Sequence, residues 1–222
     1  MFDNLVRYLY IIPAALIAVV LHELGHAFVS YKLGDPTPKS EGRLTLNPLK
    51  HLDVVGIICL IFFGFGWAKP VSIDSSYYKN KKLGITLVGL AGPLVNFILA
   101  ILSFTFIGII YIVEIKLGSN VFLSILNTFF IYLAIINIGL GVFNLIPIPP
   151  LDGSKVIGGI LPDKAYNEYM LYQAYGMYFM IGFMIFLFIL DSFGLESPIG
   201  FVIDKIFYFF YDLVLKVVYM II

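Results

Sequence analysis

Apolar positions in this chain fall into long unbroken runs, separated by short polar stretches, and most of the runs predict membrane-crossing helices. The first runs from about Leu5 to Tyr31 and contains Pro13, which is expected to kink the helix without ending it. Residues 33 to 53 are the most polar, with Asp35, Lys39, Glu41, Arg43, Asn47, Lys50 and Asp53 interleaved with Gly and Pro. Within them Arg43-Leu-Thr-Leu-Asn47 alternates polar and apolar, the period of a half-buried strand. Residues 54–68 carry no charge but are short for a span and include Gly56, Gly64 and Gly66, so they read as a re-entrant or interfacial segment. A short extended stretch through Pro70–Ile73 follows, and with Arg43–Asn47 it predicts a small β-hairpin.

Further spans are predicted at about Leu83–Val113, Val121–Leu145 and Tyr172–Leu190. The last block, 199–222, is less uniform: Asp204, Tyr208, Asp212 and Lys216 recur every four residues and form one polar stripe on a helix. That stripe suits either a span facing protein or an amphipathic helix in the membrane interface. The expected fold is an all-α polytopic membrane protein with a three-helix core over about 5–160, one or two further helices over about 172–222, and a β-hairpin or re-entrant loop after the first span. With no repeat and no low-complexity linker, a single domain over 1–222 is the simplest organisation.

Composition agrees with lipid as the main solvent: of 222 residues, 60% are hydrophobic and 13% charged, where soluble domains are nearer half and one quarter. Net charge is zero and no basic block stands out, which argues against nucleic acid as a partner. The lone Cys59 excludes an internal disulfide and a cysteine-based zinc site, and reads as a small buried hydrophobe. A cleavable signal peptide is not expected, because the first run is too long and its far end carries chemistry.

That chemistry is His22-Glu-Leu-Gly-His26, an H-E-x-x-H motif inside the first helix. At 3.6 residues per turn the two imidazoles lie about 40° apart in projection and one turn apart, so both can reach one metal ion. Glu23 lies too far round the helix to ligate equally but borders the coordination sphere, where a general base for a metal-activated water belongs. Ionisable groups in a membrane helix each cost about 2.5–3.5 kcal/mol or more unless paired, so three of them together point to function. A catalytic zinc takes three protein ligands and leaves a position for water. Asp152 is the favoured third, after the helix-ending prolines of Asn144-Leu-Ile-Pro-Ile-Pro-Pro-Leu-Asp152-Gly153. Glu114, Asp191 and Glu196 are rivals at span ends, and His51 reads as a loop residue.

Depth favours Asp152. With 54–68 re-entrant, the third span ends at the face where the histidines lie; were 54–68 a true span, Asp152 would emerge at the opposite face. On the same topology Arg43, Lys50, Lys69, Lys79, Lys81, Lys82, Lys155 and Lys164 fall on the histidine side and only Arg7 and Lys116 on the other. The excess of positive charge makes that side cytoplasmic, in a multi-pass protein of the cell membrane.

With His22-Glu-Leu-Gly-His26, Gly92-Pro-Leu-Val-Asn96 and Asn144 through Gly153 in this order and spacing, the chain resembles the site-2-protease family of intramembrane zinc metalloproteases, in particular the small members without appended domains. The resemblance implies one zinc per chain on His22, His26 and Asp152, Glu23 as catalytic base, and Asn144 beside the metal, steadying the tetrahedral intermediate. It implies a membrane-protein helix as substrate, hydrolysed where it unwinds locally. Asn96 is either a substrate contact or an interhelical hydrogen bond. Thr45 and Leu46, on the expected strand, are candidate substrate contacts by strand addition. The competing readings are a metal-ion transporter using the same residues as a transit site, and a non-catalytic metal-binding scaffold. Ligands gathered near one end of the membrane weigh against the first, and an intact Glu23 against the second.

Overall fold

The computed structural model describes residues 2–53, 56, 68–172 and 175–222. Among these, the long helices are α1 (Phe2–Lys32), α3 (Lys81–Leu117), α4 (Val121–Asn144), α7 (Gly176–Ser192) and α8 (Pro198–Ile221). Shorter helices are α2 (Thr37–Ser40), α5 (Asp152–Ile160) and α6 (Asp163–Tyr172). Three of them, α1, α3 and α4, are long and apolar enough to cross a membrane. This is a helical membrane protein. At 1.5 Å per residue α3 is about 55 Å long, more than a hydrocarbon core of about 30 Å, so it includes more than the bare span that hydropathy predicts. Pro13 and Pro93 both lie inside continuous helices. The expected re-entrant segment 54–68 lies outside the described residues, apart from Gly56 and Ala68.

The chain forms two compact units, one comprising Met1–Ala18, Asn96–Phe143 and Met184–Ile222, the other Val19–Val95 and Asn144–Phe183. In the first, Ala100, Phe104 and Ile107 of α3 pack with Ala134 and Ile138 of α4, and Ile203, Phe207, Phe210 and Val214 of α8 close over them. The small alanines let helices approach where lipid gives no hydrophobic drive for association, so packing and hydrogen bonds do that work. Asn96 is fully buried in this unit, and its amide nitrogen donates to Asn137 Oδ1 at 2.8 Å and to the Ala18 carbonyl at 3.3 Å. The polar stripe expected on the last helix is present: Asp204, Tyr208, Asp212 and Lys216 are exposed, while the face at Ile203, Phe207 and Phe210 is the packed one.

The second unit corrects the expected β-hairpin. Among the described residues there is no strand, and Arg43–Asn47 is irregular, bending at Leu44 and Thr45 before a 3-10 turn at Pro48–Lys50. The only pairing of β type described is one isolated antiparallel bridge, Leu52 with Ala68. The physical reason is Arg43. Its side chain is buried, and its guanidinium donates to the carbonyls of Lys50, Lys69 (3.3 Å) and Pro70 (3.1 Å). A guanidinium offers five donors, and here it occupies acceptors that a neighbouring strand would use. Pro70 has no N–H to give a ladder. Asn47 turns away from extended pairing as well, its side chain capping Leu49 N at 3.0 Å. Thr45 is held from the other side, its carbonyl accepting from His51 Nε2 at 2.8 Å. The alternation at 43–47 thus records an anchor pointing in and a turn pointing out.

A second anchor holds the end of α1. Asp35 is fully buried and accepts from Ser30 Oγ at 2.7 Å, Thr37 N at 2.9 Å and Asp74 N at 2.9 Å; Ser30 Oγ also meets the Tyr78 hydroxyl at 2.7 Å. Burial pushes the Asp35 carboxyl up, but the hydrogen bonds from Thr37, Asp74 and Ser30 more than offset this and hold it below the usual carboxylate value. A carboxyl whose folded value is depressed adds stability above its unfolded value of about 3.9, and that stability is lost as pH falls through the lower folded value. The thermal midpoint in detergent of Asp35→Asn is therefore expected to lie below that of the wild type by a constant margin from pH 8 to about 5 and to converge on it below about pH 4. A margin that widens in acid would contradict this account.

Candidate metal centre

Local helix geometry sets two of the three groups. His22 and His26 sit one turn apart on α1 and both are buried. Their rings meet edge to face with centroids 4.7 Å apart, and their Nε2 atoms are 3.1 Å apart. Asp152 comes from the start of α5, where the proline-rich turn after α4 ends, and it too is buried. Its Oδ2 lies 3.1 Å from His22 Nε2 and 2.9 Å from His26 Nε2. These three are the one group of metal-binding donors found among the described residues. The structure therefore brings together the three residues expected as ligands. Glu114, Glu196 and His51 stand apart from the cluster. His51 is fully buried in the loop.

The residues fit a cation. His26 Nδ1 lies 2.6 Å from the Val88 carbonyl, which can only accept, so Nδ1 carries the proton and Nε2 of the neutral ring presents a bare lone pair. That orientation by a carbonyl is the usual support of a metal-bound histidine. Asp152 Oδ2 is buried and has no hydrogen-bond partner. Lone pairs facing one another at these distances repel unless something positive lies among them. Edges of 2.9–3.1 Å are near the roughly 3.3 Å that two ligands about 2.05 Å from a tetrahedral ion would show. The space is kept open by Gly92 of α3. A Cβ there would come within 2.4 Å of His26 Nε2 and 2.5 Å of His22 Cε1, which no rotamer adjustment of two committed ligands could absorb. Gly25, between the histidines, plays a milder part, since a Cβ there would sit 3.0 Å from Val95 and 3.1 Å from the Ala91 carbonyl.

Around the cluster is a cavity of about 140 Å³ lined by, among others, His22, Glu23, His26, Val71, Asn144, Asp152 and Lys155. Glu23 Oε2 accepts from Val71 N at 3.2 Å, so the carboxylate is steered by the backbone of the extended Lys69–Ile73 stretch. Asn144 at the end of α4 reaches the same cavity. Lys155, one turn beyond Asp152, places Nζ 2.9 Å from Asp152 Oδ1. Thr45 and Leu46 are not among the residues lining the cavity, and Leu46 is exposed. Sequence reasoning missed Val88, Val71 and Lys155. The first two act through backbone atoms and leave no mark on residue type; Lys155 could have been found from its i+3 spacing to Asp152.

A buried His-His-Asp cluster with a carboxylate beside it, two of its donors on a helix long and apolar enough to cross a membrane, has the donor set of a membrane metalloprotein. Residues 105–189 match the family model described as peptidase family M50. The chain is 37% identical over 186 residues to "Putative zinc metalloprotease YwhC" of Bacillus subtilis, with 84% of each chain covered. It is 28% identical over 151 residues to Rip2 of Mycolicibacterium smegmatis, which carries the same description, covering 66% of this chain and 55% of that one. It is 33% identical over 150 residues to "Zinc metalloprotease MJ0392" of Methanocaldococcus jannaschii, covering 67% of this chain and 33% of that one. No solved structure matches. The chain belongs to peptidase family M50, the site-2-protease family, and is a zinc-dependent membrane protease.

Gly92→Ala should abolish stoichiometric zinc binding, measured by elemental analysis of the detergent-purified protein, because the added methyl occupies the space of the ring nitrogens. His51→Ala should keep its zinc.

Proposed function

We propose that this protein hydrolyses peptide bonds in locally unwound transmembrane segments of other membrane proteins, working as one membrane-embedded domain. The observation that carries the reading is the convergence of donor atoms from His22, His26 and Asp152 within reach of one metal ion, with Glu23 on the same cavity. In this reading the three hold one zinc ion. Bound there, zinc supplies Lewis acidity and makes a water molecule acidic near neutral pH. Glu23 takes the proton from the attacking water and passes it to the leaving amine. Its bond from Val71 N keeps the carboxylate turned to the cavity in the resting site. The Asn144 side chain steadies the negative charge that develops on the scissile carbonyl oxygen.

A helix cannot present its peptide bonds until its own hydrogen bonds open, so the substrate reaches the cavity extended. The stretch best placed to meet it is Lys69–Ile73, of which Pro70, Val71 and Ile73 line the cavity. Thr45 and Leu46 become contacts for a more distant part of the substrate, and the burial of Asn96 favours helix packing for that residue. The basic residues that follow α1 support an active site toward the cytoplasmic side of the cell membrane.

Glu23→Gln should retain zinc and fold while turnover of a transmembrane reporter substrate in proteoliposomes falls by several orders of magnitude. His22→Ala, His26→Ala and Asp152→Ala should each lose activity together with zinc. Cleavage by Glu23→Gln within tenfold of the wild-type rate would remove this residue from the reaction.

A further inference from the structure

The two oxygens of Asp152 face different partners. Oδ2 points to the histidine nitrogens at 3.1 and 2.9 Å, while Oδ1 is 2.9 Å from Lys155 Nζ. A carboxylate can hold a metal through one oxygen or both, and the choice depends on rotation about its Cβ–Cγ bond. An ammonium group fixed on Oδ1 opposes the rotation that would turn both oxygens toward the histidines. The lysine stem is itself confined. Gly89 of α3 packs against it so closely that a Cβ at Gly89 would stand 2.8 Å from Lys155 Cβ and 3.1 Å from the Asp152 carbonyl. Lys155 also lines the cavity around the cluster, so its charge faces the site.

We propose that Lys155 is a positioning residue for the metal centre: it holds Asp152 to one-oxygen ligation, keeping the fourth position open for water and raising zinc affinity by preordering the ligand. This rests on the assignment of Asp152 as a zinc ligand. A bulk stabilising role does not account for the arrangement. The Lys155 side chain is 32% exposed, so its ammonium keeps solvent on one side, while the buried Asp152 already meets both histidines without it. What it can change is the geometry of a group only two bonds from the metal, where partners of ligands typically matter 10- to 100-fold in affinity.

The test uses the purified full-length protein in detergent, with zinc itself as the probe in competition against a chromophoric chelator. Lys155→Met is expected to weaken zinc about 10- to 100-fold with the stoichiometry still one per chain. X-ray absorption on that variant should show an added oxygen at the metal as the carboxylate swings to two-oxygen ligation. Lys155→Arg, which restores a donor on Oδ1, should return both affinity and spectrum to near wild type. Wild-type zinc affinity and spectrum in Lys155→Met would overturn the proposal, as would a loss that Lys155→Arg fails to restore. Asp152→Ala serves as the separate check: if it binds zinc as tightly as wild type, the ligand assignment is what fails.

Discussion

Everything at this centre follows from the difficulty of burying two imidazoles and a carboxylate against one another. Two imidazole nitrogens and a carboxylate oxygen meet at 2.9–3.1 Å, each buried, with His26 Nδ1 already committed to the Val88 carbonyl. Such an arrangement needs positive charge among its acceptors, a role that suits a bound cation, because burial makes an unmatched group costlier than it is in water. The neighbouring residues serve that condition. Gly92 gives up a side chain so that the ring nitrogens fit, Val88 offers its carbonyl to set the tautomer, and Lys155 takes up the carboxylate oxygen that does not face the histidines.

The described part of the loop after α1 is held by a different means. It has no regular hydrogen-bonded ladder among the described residues, so its backbone groups are satisfied by buried side chains instead. Arg43 gathers three carbonyls and Asp35 gathers two backbone donors and a hydroxyl. The consequence reaches the chemistry: by holding Lys69 and Pro70, Arg43 fixes the start of the stretch whose Val71 N–H meets Glu23. Two buried charged side chains thus order the backbone beside Glu23 with few residues.

The unit containing Ala18, Asn96 and Asn137 follows the rules of helix packing in lipid. Alanines at the contact, an amide pair between α3 and α4, and aromatic rings from α8 over Phe104 supply shape and hydrogen bonding where the hydrophobic effect between helices is weak. Asn96 lies in one of the stretches on which the resemblance to site-2 proteases rests, yet its amide donates within this unit to Ala18 and Asn137. Motif membership and contact with substrate are separate properties.

The sequence by itself determined the three long spans and the pairing of His22 with His26. Both are local properties: hydropathy sums over neighbours, and a helix fixes what lies at i and i+4 whatever surrounds it. It also pointed to Asp152, because the prolines before it end a helix and the count of spans decides at which face it emerges. Only the tertiary structure decided that Gly92 abuts the ring nitrogens, that Lys155 holds one oxygen of Asp152, and that Arg43–Asn47 is no strand. These are contacts across tens of residues, and several run through backbone carbonyls that every residue type carries, so no period or motif announces them. Arg43 shows the difference most plainly. Its alternation with Leu44 and Leu46 has the period of a strand, but one buried guanidinium with three carbonyls to bind bends the chain instead.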